Sequence, residues 1–324
     1  MTDKIGFGIL GCARIARNRV APAIQRSDSA RVVAVASSRP GVAAEWAKEL
    51  ETPKAYESYE AVLEDPAVRA VYIPATGDRH HPLTLLAAKA GKHVLCEKSL
   101  ATSVREAEEM LAACQEAGVL LQEAFMWRHH PRTRRAKKMV ASGEIGVLRI
   151  VCAKFSFDID RSDWRLDPAK GGGAIWDIGC YGVNAARLFC GSEPETIHAR
   201  AHFHETGVDM TMQIALAFPD GVLANIDCSF ESAYRAEVEL VGTQGRIVLP
   251  RAFGPPEEAE MLINEGTQGH QAPIKIHFPK ANQYTLMVDD FCAAMTQGML
   301  HPPAEDGLAN MRVLEEALRQ AKAA

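Results

Sequence analysis

The sequence predicts an α/β chain in two parts: a doubly wound parallel sheet, then an α+β domain on a large, open, mainly antiparallel sheet. Three observations carry that prediction. Up to about Glu123, short strands apolar on both faces alternate with helical stretches, as parallel strands covered by helices require. After Pro131 the strands lengthen and alternate, so each buries one face only. A length of 324 residues accommodates two cores, and the change of pattern divides them into 1–123 and 124–324.

The first strand is Ile5–Leu10, and the chain enters it almost at once, so no signal peptide is expected. Arg31–Ser37, Ala70–Pro74, His93–Cys96 and Val119–Glu123 follow as strands. Between the last two, Val104, Ala107, Leu111 and Cys114 share one helix face. One more helix follows Pro131. Met210, Met212, Ile214, Leu216 and Phe218 then point one way, Pro219-Asp220-Gly221 turns the chain, and Val222, Ala224, Ile226, Cys228 and Phe230 alternate again as a hairpin. Val238–Leu249 reads similarly about Gly242-Thr243-Gln244-Gly245. Helices near Gln283–Met295 and Leu308–Ala321 close the chain, without internal repeats.

Hydrophobic residues at 47% and charged ones at 24% describe a soluble globular protein. A net charge of −5 gives no reason to expect nucleic acid, and Arg132, Arg134, Arg135, Lys137 and Lys138 read as a solvated helix face. No apolar run approaches a membrane span. The eight cysteines include no C-x-x-C pair and lie mostly in apolar surroundings. They predict buried thiols in a reducing, cytoplasmic compartment.

Two glycine fingerprints overlap at the start of the chain. Gly6-Phe7-Gly8-Ile9-Leu10-Gly11 matches G-x-G-x-x-G but lies inside a strand, where it cannot cradle a phosphate. Shifted by one turn, Gly11-Cys12-Ala13-Arg14-Ile15-Ala16 falls where strand becomes helix, with Ala13 and Ala16 in place of two glycines. The free N–H groups of that helix would face a dinucleotide pyrophosphate. The second strand ends in Ser37-Ser38-Arg39, with no carboxylate at its end, since Asp28 precedes the strand. Two hydroxyls and a guanidinium suit the 2′-phosphate of NADP rather than the bare ribose of NAD.

Three constellations could carry chemistry. Glu97-Lys98-Ser99 follows a buried strand, so Lys98 emerges at the ligand-binding edge of the sheet, although a lysine there is often only an exposed surface residue. Gly171-Gly172-Gly173 leads into a helix on which Asp177 and Tyr181, four apart, share a face. Glu123–Pro131 mixes aromatic surface with donors that could grip a polyhydroxylated ring. The pairs His80-His81 and His129-His130 lack helical spacing and a Cys/Asp ligand set, so no metal is expected.

The chain resembles the glucose–fructose oxidoreductase/inositol dehydrogenase (Gfo/Idh/MocA) family over essentially its whole length. The resemblance rests on Gly8–Ala16, Val71-Tyr72-Ile73-Pro74, Gly91–Lys98, Glu123–Pro131 and Gly171–Asn184. Tyr181, where the inositol dehydrogenases carry His, is similar to the branch of dimeric dihydrodiol dehydrogenases and NADP-dependent D-xylose dehydrogenases. The resemblance implies an N-terminal Rossmann domain and a C-terminal substrate-binding and oligomerisation domain. It implies a catalytic set of Lys98, Asp177 and Tyr181, with hydride passing between a carbinol carbon and the nicotinamide. Tyr titrates near pH ~10 unperturbed, so a lysine ammonium beside it would favour the phenolate. Asp177 would hold a substrate hydroxyl or orient the lysine, and whether Tyr181 or Lys98 carries the proton stays open. The expected cofactor contacts are Gly11, Cys12, Ala13, Arg14, Ile15, Ser37, Ser38, Arg39, Pro74, Ala75, Thr76, His80, Glu97 and Lys98. The expected substrate contacts are Phe125, Trp127, Arg128, Trp164, Arg165 and Asn184.

Ser99 stands where the family has proline, so a cis bond after Lys98 is expected to be lost. Gly77 stands where the family often has Asn, and no N-terminal extension traps the cofactor, which should exchange between turnovers. The expectation is an NADP-dependent oxidoreductase of sugar-like polyols, first an aldose 1-dehydrogenase, with dihydrodiol oxidation or keto-sugar reduction as alternatives. A homodimer or homotetramer through the open sheet is implied by the resemblance. A non-catalytic dinucleotide sensor is the reading of another class, against which Lys98, Asp177 and Tyr181 together argue.

Overall fold

The computed structural model describes residues 4–267 and 272–323, and the chain forms two compact units. Unit one holds a six-stranded sheet of β1 (Ile5–Leu10), β2 (Ala30–Ala36), β3 (Lys54–Tyr56), β4 (Ala70–Ile73), β5 (His93–Cys96) and β6 (Leu121–Glu123). Their spatial order is β3-β2-β1-β4-β5-β6, and every pairing is parallel. Helices α1 (Ala21–Arg26), α2 (Val42–Glu49), α3 (Tyr59–Glu64), α4 (Gly77–Lys89) and α5 (Val104–Glu116) connect them. The strand order reverses beside β1, which opens a crevice at the carboxyl ends of β1 and β4. The strand glycines serve packing: a Cβ on Gly6 would lie 2.0 Å from the Ala67 carbonyl oxygen, and one on Gly8 2.4 Å from a Val62 methyl.

Unit two spans Trp127–Ala281 and Ala309–Ala324. It contains α6 (Pro131–Ala141), β7 (Leu148–Ser156), α7 (Cys180–Cys190), β8 (Thr196–Phe203), β9 (Asp209–Ala217) and β10 (Leu223–Ser229). The strands β11 (Arg235–Gly242), β12 (Gly245–Pro250), β13 (Glu260–Glu265) and β14 (Ile274–His277) follow. The order is β14-β13-β12-β11-β7-β10-β9-β8, antiparallel except for the β7–β10 pair. The expected hairpin forms as β9–β10, with Met212, Ile214, Ala224 and Ile226 buried. α7 packs on β7 and β10. The opposite face carries Lys154–Glu237 and Arg246–Glu239 ion pairs, with Leu223 beside Ile150 on adjacent strands.

Two expectations change here. Asn282–Leu308 belongs to unit one, not to a second domain running from 124 to 324. The cause is α8 (Gln283–Gln297), whose Met287, Val288 and Phe291 are buried. It packs on α1 and β2, with the Phe291 ring 6.2 Å from that of Phe7. The last helix, α9 (Glu305–Ala323), begins in unit one and continues in unit two. The basic run on α6 is also not wholly solvated. Arg132 is 1% exposed and donates to the carbonyls of Pro250 at 2.7 Å, Glu260 at 3.1 Å and Ala252 at 3.2 Å. Burial pushes its guanidinium down to about 10, with Glu260 opposing. Among the described residues, no helix is long and apolar enough to cross a membrane.

Candidate active site

In unit one the chain leaves β1 at Gly11, whose φ of +126° suits glycine. A continuous helical run starts at Arg14, and its Ala16–Val20 portion is wound as a π-helix. Such turns recur at functional sites. Gly11, Cys12, Ala13, Arg14 and Ile15 therefore form the strand-to-helix turn, as the second fingerprint predicts. The Cys12 thiol bonds the Ala36 carbonyl, and burial, opposed by Arg39, pushes it up to about 11, so it stays protonated.

Ser37, Ser38 and Arg39 sit beside that turn at the end of β2. The Arg39 guanidinium donates to the Cys12 carbonyl at 3.2 Å, and the Ser37 hydroxyl accepts the Arg39 N–H at 3.1 Å. This donor set fits a phosphate. The expected absence of a carboxylate does not hold, because β3 pairs with β2 and brings in Glu57. Glu57 accepts the Gly41 N–H at 3.3 Å, and its charge reaches Cys12.

Pro74, Ala75 and Thr76 follow β4 and lead into α4, where the Thr76 hydroxyl donates to Asp78 at 2.6 Å. His80 is 1% exposed, with Nδ1 2.9 Å from the Ser99 carbonyl and Nε2 3.0 Å from that of Ala75. Burial, aided by Lys98, lowers its pKa and keeps it neutral. A neutral ring has a single N–H, which donates to one of these two carbonyls, and both nitrogens face backbone oxygens instead of a cofactor.

Lys98 follows β5 and is half-buried. Its N–H donates to the Glu97 carboxylate at 3.3 Å, and the same carboxylate accepts the Tyr72 hydroxyl at 2.6 Å. Burial, with the Glu97 charge, pushes Tyr72 far above its ordinary value, so it remains a donor. Contrary to expectation, the Lys98–Ser99 peptide is cis without proline. The peptide that follows is engaged at both ends: the Ser99 carbonyl lies 2.9 Å from His80 Nδ1, and the Leu100 N–H donates to Glu123 at 2.9 Å. Tyr284 of α8 is a neighbour that sequence reasoning missed. Burial and Glu97, against Arg19 and Lys98, push its phenol up to about 12.

In unit two, Asp177 lies in a π-wound turn, Ile175–Gly179, that runs into α7 with Tyr181 on its first turn. Arg165 donates from Nε to Asp177 at 2.6 Å and from Nη1 to Asp163 at 3.2 Å. Burial lowers the Arg165 pKa, but Asp177 and Asp163 outweigh it and raise it overall. Arg165 also lies 4.9 Å over the Trp164 ring. Asp177 is thus held by an arginine that helical spacing does not reveal. The Tyr181 ring is 6% exposed, 5.0 Å from Phe253 and 5.5 Å from Phe155.

The remaining expected substrate contacts divide. Arg128 is half-buried. Trp127 is fully buried, edge-on to Phe253 at 5.5 Å, and belongs to the core. Phe125 is 2% exposed. Asn184 is fully buried, with neither amide atom partnered among the described residues. Of the histidine pairs, His81 meets Glu109 at 2.8 Å, and His130 accepts the Arg132 N–H at 3.1 Å.

Comparisons with known proteins cover both parts of the chain. A family model described as "Oxidoreductase family, NAD-binding Rossmann fold" matches residues 5–125. One for the GFO/IDH/MocA C-terminal domain matches residues 133–248. The chain is 36% identical over 98% of its length to the D-xylose 1-dehydrogenase (NADP(+)) 2 of Haloferax volcanii, covering 97% of that protein. It is 32% identical to the mouse (Mus musculus) trans-1,2-dihydrobenzene-1,2-diol dehydrogenase, over 92% of this chain and 90% of that one. The crystal structure of a 3-ketoreductase from Actinomadura kijaniata with NADP and TDP-benzene superposes with a TM-score of 0.91 at 32% identity, covering 98% of both chains.

Proposed function

The chain belongs to the GFO/IDH/MocA oxidoreductase family, and on that premise we propose that it is an NADP-dependent dehydrogenase of sugar-like polyols, with aldoses oxidised at the anomeric carbon as the first substrate class. Gly11–Ile15, Ser37, Ser38 and Arg39 would hold the coenzyme's phosphates, and Pro74–Thr76, Glu97 and Lys98 its nicotinamide half. When bound, NADP supplies the acceptor for the hydride that leaves the carbinol carbon. Tyr181 takes the hydroxyl proton as the carbonyl forms, and Lys98 supplies a positive charge at the nicotinamide half. The Asp177 carboxylate, steadied by Arg165, accepts a hydrogen bond from a second substrate hydroxyl. Reduction of a ketone reverses each step.

The observation that carries this reading is the position of Lys98 directly after β5, at the carboxyl edge of the sheet, with its backbone N–H on a Glu97 carboxylate that also accepts the Tyr72 hydroxyl. A sensor would not need a lysine at the edge where ligands bind. The test follows absorbance of the reduced nicotinamide with NADP and pentoses, hexoses and dihydrodiols, and with NADPH and keto-sugars. Aldose oxidation is expected, and Lys98→Met should lower turnover by about a hundredfold or more while NADP affinity stays largely intact. Turnover only with keto-sugars would make the protein a reductase. Tight NADP binding without turnover of any compound would overturn the catalytic reading.

A further inference from the structure

Outside the expected site residues, unit two contains a buried acid with no role so far. Asp209 opens β9 and is 1% exposed. Its Oδ2 accepts the Ile175 N–H at 2.7 Å, and the Ala174 N–H donates to the same carboxylate. Those are free donors at the start of the helical run, where the helix dipole also favours a negative charge. Asp177 lies two residues beyond Ile175, and Tyr181 four beyond Asp177.

The glycine run explains the approach from the other side. Gly173 has φ +120°, and a Cβ there would lie 2.4 Å from Asp209 Oδ1. A Cβ on Gly172 would likewise lie 2.4 Å from the Arg165 carbonyl oxygen. Gly173 is therefore the residue that lets the carboxylate reach the helix start, and any side chain would push the two apart.

We propose that Asp209 is a positioning residue, gripping the turn at Ala174–Ile175 so that Asp177 and Tyr181 are presented in register for the reaction. This rests on the reading of those two residues as site residues. The grip has a titration. Burial, against the N–H donors of Ile175 and Ala174 and the charge of Lys322 on α9, pushes Asp209 up to about 6. The Cys228 thiol on β10 lies near it and, buried beside that charge, stays protonated. Above about pH 6 the carboxylate holds both N–H groups; below it, one oxygen becomes a hydroxyl and the hold weakens.

The test compares wild type with Asp209→Asn, in kcat, in KM for NADP, and in the amide signal and hydrogen exchange of Ile175. At neutral pH the variant should lose about tenfold in kcat, with KM for NADP within about twofold. The wild-type rate should fall on the acid side near the Asp209 pKa, and the variant should lack that limb. The Ile175 amide should titrate with the same midpoint in wild type, a measurement that needs no folded variant. Gly173→Ala should act in the same direction. Normal kcat with the acid limb retained, or an Ile175 amide that does not titrate, would overturn the proposal. Absence of wild-type turnover would instead strike the functional reading. Exchange then decides this one: faster exchange at Ala174–Asp177 in the variant supports the grip, and equal exchange ends it.

Discussion

Arg39 lies across the Cys12 carbonyl at the end of β2, which makes coenzyme choice testable at a single side chain. Arg39→Asp should turn preference from NADP toward NAD by about tenfold to a hundredfold, the weight of a charged hydrogen bond or two. The ratio of kcat/KM for the two coenzymes measures it, and an unchanged ratio would remove Arg39 from the phosphate site. Glu57, close by, is the acid that could serve a bare ribose once the guanidinium is gone. At this scale the sequence was informative about residue type at a strand end. It was silent about residues that arrive from distant strands or loops. Glu57 comes with β3 and Asp209 from β9, so no local spacing marks them, and Arg165, expected as a substrate contact, is instead the partner of Asp177. Trp127 misled for the opposite reason, since an aromatic next to polar residues reads the same on a surface and in a core.

α6 shows how one element combines a cap with a pH response. His130 is its N-cap and accepts the Arg132 N–H through Nδ1, so the ring must be neutral. Burial, with Arg132 nearby, depresses it to about 4 from an unfolded value of 6.5. The unfolded chain then takes up a proton first as pH falls. Stability is complete above 6.5 and declines toward 4, by up to about 3 kcal/mol. His130→Asn keeps a capping acceptor and removes the titration. Urea midpoints measured across that range should change less in the variant; equal slopes would rule the histidine out. The strands and their pairing class were legible, because a period of two and buried apolar runs write themselves into sequence. The π-wound turns at Ala16–Val20 and Ile175–Gly179 were not, since one extra residue in a turn leaves little trace in periodicity. The three-residue β3 was too short to carry a pattern.

For the molecule as a whole, the open face of the second sheet is where self-association is expected. Leu223 is 52% exposed and Ile150 37%, among paired charges. Such a patch suits an interface between copies of the chain. Sedimentation should find an oligomer that Leu223→Lys dissociates, and a wild-type monomer would end that expectation. The return of α8 to the first sheet was not legible, because its apolar face says only that it packs, not on which core. That return has a consequence for synthesis. The first unit is interrupted in sequence, and the helix that lies on α1 and β2 is encoded after residue 281. A nascent chain must therefore hold an incomplete coenzyme fold, with Phe7 lacking its aromatic neighbour Phe291, until the ribosome has passed α8.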